Sequence, residues 1–180
     1  MPSILDILCG VFWAAAYALI IKRGFQDKAC GMPVLVLCVN FGWELLSLTF
    51  RRLPETTPAA YMCVPLDAVI FVQCLMYGKA DFENAFVKKY FHAIVVGTFV
   101  YVTAFVYLFE TRLHDEYRYY SAFCDNLVMS ALFIAMLLRR GSSRGQSMYI
   151  AVFKLLGTLV VSIEALRLHR DPEPAFLILL

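Results

Sequence analysis

The sequence predicts an all-α protein: a polytopic transmembrane helix bundle with six full spans and a short or truncated seventh, forming a single domain over 1–180. Three observations carry that prediction. Hydrophobic residues make up 61% of the chain and mean hydropathy is +0.70. Charged residues make up only 17%, against roughly 25% in soluble domains. Apolar stretches near the ~20 residues that cross a hydrocarbon core recur along the chain, separated by short charged loops. The net charge of +2, with no basic block, argues against nucleic acid and leaves membrane lipid as the surroundings.

The first span lies near 3–21 and stops at Lys22-Arg23. It has no basic segment before it and only a diffuse small-residue end, so it reads as a span and not as a signal peptide. The second, near 29–50, contains Met32-Pro33 and stops at Arg51-Arg52. The third, near 59–78, contains Pro65 and Asp67 and stops at Lys79. The fourth, near 90–110, begins after Lys88-Lys89 and closes on Glu110. The fifth, near 118–138, stops at Arg139-Arg140, and the sixth covers 147–167. The run Pro174–Leu180 is too short to span. Loops after spans one, three and five hold nine Lys and Arg, and those after spans two, four and six hold six, which places the odd loops in the cytoplasm.

Within this apolar chain the informative residues are acids. Glu44 lies inside Cys30–Phe50, where a charged side chain is expensive and therefore marks a candidate functional site. Asn40 is four residues earlier, on the same helical face. Glu44 is seven residues from Arg51, Asp67 about eight residues into span three, and Asp125 with Asn126 about seven residues into span five. At about 1.5 Å per residue, all lie on the order of 10 Å deep, measured from the same side of the membrane. That convergence suits a shared cavity.

Glu44 and Asp67 are the leading candidates for chemistry. Asp125 and Asn126 either line the cavity or join helices through hydrogen bonds. Glu110 reads as interfacial, and Glu164 as interfacial or paired with Arg167. Lys154 reads as snorkelling, with pairing to an acid as the alternative. Phe41, Trp43, Tyr101 and Tyr107 offer aromatic faces near the acids, suited to a cation. The six cysteines form no CxxC pair and read as small apolar packing residues. No histidine pair has metal-ligand spacing. DDxxD, DxDD, GxSxG, HExxH, P-loop and dinucleotide fingerprints are all missing, so no metal or other cofactor is expected.

Several segments together resemble one family. They are Gly31-Met32-Pro33 followed by Asn40-Phe41-Gly42-Trp43-Glu44, Pro65-Leu66-Asp67, Asn126-Leu127-Val128-Met129-Ser130, and Arg144-Gly145-Gln146-Ser147 followed by Lys154-Leu155-Leu156-Gly157-Thr158. In order and spacing the chain is similar to the small integral-membrane terpene cyclases of fungal meroterpenoid and indole-diterpene pathways, with bacterial relatives. The resemblance implies a seven-helix bundle without metal, acting on a lipophilic prenylated or epoxidised terpenoid substrate. It implies an intramembrane acid that protonates an epoxide or alkene and starts ring closure through carbocations. It assigns that acid to Glu44. Read from the residues themselves, Asn40 orients Glu44 or holds a substrate oxygen, and Phe41, Trp43, Asp125 and Asn126 are the further candidate substrate contacts. The family's second acid is an aspartate in the last helix, in a D-x-x-Tyr context. Here the chain departs: Glu173-Pro174-Ala175-Phe176 is a loose counterpart, Asp171 is adjacent, and Glu164 or Asp67 is the substitute.

Physical chemistry agrees with that assignment. Apolar surroundings disfavour the charged form of a carboxyl, so an embedded acid retains a proton to donate. An apolar cavity also keeps water from quenching a carbocation. The expected location is an integral, multi-pass position in the endoplasmic reticulum if the chain is fungal, or in the inner membrane if bacterial. Two alternatives account for embedded acids: a proton-coupled small-molecule transporter, and a non-catalytic scaffold derived from a cyclase. No inverted repeat or Gly/Pro-broken helix pair supports the transporter.

Overall fold

The computed structural model describes residues 4–50, 57–113 and 118–168, and no strand occurs among them. Six helices follow in order: α1 (Ile4–Asp27), α2 (Val34–Phe50), α3 (Thr57–Tyr77), α4 (Ala85–Arg112), α5 (Tyr119–Arg140) and α6 (Met148–Leu168), with a 3₁₀ turn at Gly78–Asp81 after α3. Five of them, all but α2, are long and apolar enough to cross a membrane.

The expectation of six full spans is therefore met for five. The segment Cys30–Pro33 stays outside the helix, so α2 begins only at Val34 and has 17 residues. Pro33 sets that start. Its carbonyl accepts from Leu37 N at 2.9 Å, while its ring has no N–H to continue a ladder backward. At about 1.5 Å per residue α2 is about 25 Å long, short of the ~30 Å hydrocarbon core. The seventh run, Pro174–Leu180, lies outside the described residues.

Local chemistry also sets the other ends. The side chain of Asn84 accepts from Phe86 N at 2.9 Å and Val87 N at 3.2 Å, starting α4 before the apolar run. The helix then breaks its regular angles at Tyr90, where the hydrophobic span was placed to begin. At the end of α5, Gly141 takes a left-handed conformation (φ 58°) and donates its N–H to Leu137 and Leu138 carbonyls.

α1 packs closely against α6 and α3, and α2 packs against α3, α4 and more lightly α5. The buried core runs between them and includes Ile20, Val36, Leu37, Ile70, Phe91 and Val95. Many large apolar side chains face outward instead, as a lipid-facing surface requires. One end of the bundle is closed by polar contacts between loops. Arg140 reaches Asp81, the Cys30 carbonyl (2.9 Å) and the Arg144 carbonyl (2.8 Å), while Gly145 N donates to Asp27 Oδ2 at 2.8 Å.

The tight α1–α6 pair depends on Gly157. A Cβ there would lie 2.8 Å from Cδ1 of the Trp13 indole. Gly157→Val is expected to cost about 1–3 kcal/mol through overpacking. Thermal unfolding of the detergent-solubilised protein checks this, and an unchanged melting temperature would show that the pair does not rest on that contact.

Candidate active site

α1, α2 and α3 bring four polar side chains together in the bundle interior. Tyr17, Asn40, Glu44 and Asp67 are all buried, Asp67 completely. Asn40 and Glu44 share one face of α2 through their four-residue spacing. Tyr17 Oη donates to Glu44 Oε1 at 2.9 Å. Asn40 Nδ2 donates to Tyr17 Oη and to Asp67 Oδ2, both at 2.6 Å, and lies 3.4 Å from Glu44 Oε1. Glu44 and Asp67 also interact directly as a side-chain pair. No salt bridge to a cation reaches either acid among the described residues. Glu44 Oε2 and Asp67 Oδ1 are buried with no hydrogen-bond partner.

A second polar cluster lies at the end of α2 toward Phe50. Arg118, in a left-handed backbone conformation (φ 59°), caps α5 and folds inward. Its guanidinium pairs with Glu110 at 2.8 Å, donates to the Trp43 carbonyl at 2.9 Å, contacts Ser47 Oγ, and sits 4.2 Å from the Trp43 ring centroid. Ser121 Oγ donates to Glu110 Oε1 and accepts from Trp43 Nε1, both at 2.9 Å. Glu110 is therefore not a water-facing helix end: it is 3% exposed and neutralised by Arg118. One face of Trp43, expected to meet a cationic intermediate, is occupied by the guanidinium.

The remaining candidates separate. Asp125 is buried in α5, within electrostatic reach of Asp67 and of Lys154. Its Oδ1 has no hydrogen-bond partner. Lys154 donates to Ser130 Oγ at 2.7 Å and lies within electrostatic reach of Asp125. Asn126 Nδ2 donates to Thr158 Oγ1 at 3.1 Å and joins α5 to α6. Phe41 forms an aromatic trio with Phe71 and Phe99, ring centroids 5.2–5.7 Å apart. Tyr101 points outward at 72% exposure. Glu164, near the end of α6, is half-buried and outside the Glu44 cluster. Glu173 and Asp171 lie outside the described residues. Tyr17 and Arg118 are the residues that sequence reasoning missed. The signal for Tyr17 was a phenol at mid-depth in the first span; Arg118 read as a loop charge. Among the described residues, no group of three His, Cys, Asp or Glu is placed to hold a metal.

Comparison with known proteins follows the same lines. The profile of the Pyr4-like transmembrane terpene cyclases matches residues 1–174. The chain is 27% identical over 160 residues to the Pyr4-family terpene cyclase mfmH of Annulohypoxylon moriforme, covering 85% of this chain and 65% of that protein. It is 26% identical over 170 residues to the terpene cyclase ascF of Acremonium egyptiacum, covering 84% and 62%. It is 26% identical over 173 residues to the asnovolin H synthase nvfL of Aspergillus novofumigatus, covering 91% and 69%. The chain thus spans less than two thirds of the length of the first two relatives. No solved structure gives a significant match.

The buried Glu110–Arg118 pair predicts a specific stability pattern. Glu110→Ala leaves a buried guanidinium without its counter-charge and is expected to destabilise by about 3–5 kcal/mol. Replacing both partners with Met is expected to recover most of that loss. Thermal unfolding in detergent distinguishes the two outcomes.

Proposed function

The chain belongs to the Pyr4-like transmembrane terpene cyclases, and from that premise we propose that it closes rings in a lipophilic prenylated substrate by acid-initiated cyclisation within the membrane. The observation that carries this reading is the pair of buried carboxyls, Glu44 and Asp67, held by one amide, each with an oxygen that accepts from no N–H or hydroxyl donor among the described residues. Five helices are long and apolar enough to cross a membrane, a setting suited to a substrate dissolved in lipid.

The chemistry proposed is general acid catalysis without a resident cofactor. Glu44 gives its proton to an epoxide oxygen, breaking a C–O bond, or to the terminal carbon of an alkene. The carbocation formed is attacked by the next π bond, and each attack makes one C–C bond and moves the positive charge onward. The last cation loses a proton to a carboxylate, which is Asp67 or Glu44 itself, so the protonated pair is restored. Asp67 fills the place of a second acid in this reading, because it shares Asn40 with Glu44, whereas Glu164 stands apart. Asp125, with its unengaged oxygen, and Asn126 line the route toward α6 and contact the substrate. We read residues 1–180 as one domain.

Membranes expressing the chain, supplied with epoxidised prenylated phenols and indoles, are expected to yield cyclised product. Glu44→Gln is expected to lower turnover by about 10²–10⁴-fold, the usual contribution of a positioned acid, with Asp67→Asn lowering it less. Product analysis by mass spectrometry reads the result. Full turnover by Glu44→Gln in a folded, membrane-embedded protein would remove Glu44 from the proton-donating role.

A further inference from the structure

The hydrogen-bond network around Asn40 fixes more than proximity. An amide nitrogen carries two protons, and three oxygens surround this one. The two at 2.6 Å, Tyr17 Oη and Asp67 Oδ2, take them, leaving Glu44 Oε1 at 3.4 Å. Tyr17 Oη is then an acceptor toward Asn40. A phenol has a single proton, so that proton goes to the other neighbour, Glu44 Oε1, at 2.9 Å. Each carboxyl therefore accepts through one oxygen. The opposite oxygens, Glu44 Oε2 and Asp67 Oδ1, are buried and, among the described residues, accept from no N–H or hydroxyl donor, while the two carboxyls contact each other directly.

A carboxyl that keeps its proton holds it less readily on an oxygen that already accepts from a donor, because the hydroxyl oxygen is the weaker acceptor of the two. We propose that Tyr17 is a positioning residue: by donating to Oε1 it directs the acid proton of Glu44 to the opposite oxygen, Oε2. For a protonated Glu44 the choice of oxygen stands on the hydrogen-bond geometry, and the identity of the proton's recipient rests on the cyclase reading. Tyr17 has a second consequence. When the proton leaves, Oε1 gains negative charge, and the phenol already bonded to it becomes a charge-assisted donor without rearranging. Without Tyr17, the terminal torsion of Glu44 has two nearly equivalent settings. The only remaining donor to Oε1 is then the amide at 3.4 Å, beyond good hydrogen-bond length.

Infrared difference spectroscopy of the purified protein, in H₂O and D₂O, tests the placement without any substrate. The carbonyl stretch of a protonated carboxyl lies apart from that of a carboxylate and falls when its oxygen accepts a hydrogen bond. The Glu44 band is identified as the one lost in Glu44→Gln. Tyr17→Phe is expected to move that band to higher wavenumber without abolishing it. Incorporation of 3-fluorotyrosine at position 17, a stronger donor of nearly the same shape, is expected to move it lower and serves if Tyr17→Phe does not fold. Absence of a protonated Glu44 band, or a band that neither change moves, overturns the proposal. With a turned-over substrate, Tyr17→Phe is expected to lower kcat about tenfold with KM near the parent value. Activity lost in Glu44→Gln but unchanged in Tyr17→Phe overturns the role of Tyr17 and leaves the cyclase reading standing. The expected band shifts in a protein that cyclises nothing overturn the cyclase reading and leave the proton where the network puts it.

Discussion

Asn40 stands between two acids that form no salt bridge to a cation among the described residues. An ionised carboxylate in apolar surroundings without a counter-charge costs several kcal/mol, so such a pair is stable only where hydrogen-bond donors reach it and a proton stays with it. Here the donors are one amide and one phenol, supplied by different helices. Tyr17 comes from α1, Asn40 and Glu44 from α2, and Asp67 from α3, so a single network sets the register of three helices against one another. α1 and α2 each pack closely on α3, and the phenol joins them to each other across it. A slide of any one helix by a residue rotates its polar group by about 100° and strands buried oxygens.

The same residue type meets a different fate near the end of α4, beside the last turns of α2. Glu110 is as buried as Glu44, yet Arg118 lies 2.8 Å away, so Glu110 belongs to an ion pair whose remaining lone pair is satisfied by Ser121. Such a pair holds helices together. Glu44 has a phenol and an amide where Glu110 has a guanidinium, and that difference in partners, more than depth, separates an acid suited to chemistry from one suited to structure. Asp125 stands between the two cases, with Lys154 in electrostatic reach and one oxygen unengaged.

Much of this was legible in the sequence because it depends on spacing and depth. The four-residue step from Asn40 to Glu44 puts both on one face, and the similar depths of Glu44 and Asp67, entered from the same side, bring them level. What could not be read depends on side chains that cross between helices. A tyrosine in an apolar span reads as packing, and nothing local to Tyr17 says that its hydroxyl meets α2. Arg118 reads as a loop charge because its position beside a helix start does not reveal a left-handed backbone that folds it over Trp43. Glu110 was misread for the same reason: its partner lies beyond the loop. Helix ends were misplaced where a cap outweighs hydropathy, as Asn84 does for α4, or where proline delays a start, as Pro33 does for α2.

α2 shows why a short helix suffices at the centre of the arrangement. Asn40, Trp43, Glu44 and Ser47 follow the i, i+3, i+4, i+7 pattern and form one polar stripe. At one end the stripe holds Tyr17 and Asp67; at the other it holds Arg118 and Ser121. Off the stripe, Phe41 meets the rings of Phe71 and Phe99, and Gly42 admits the backbone of α4 beside Thr103. A helix whose length is matched to the bilayer takes its vertical position from lipid. One about 25 Å long has no such reference and takes its position from what it touches. The polar stripe supplies that reference at two heights. The contacts that place Glu44 relative to Asp67 are therefore the same contacts that place α2 in the bundle.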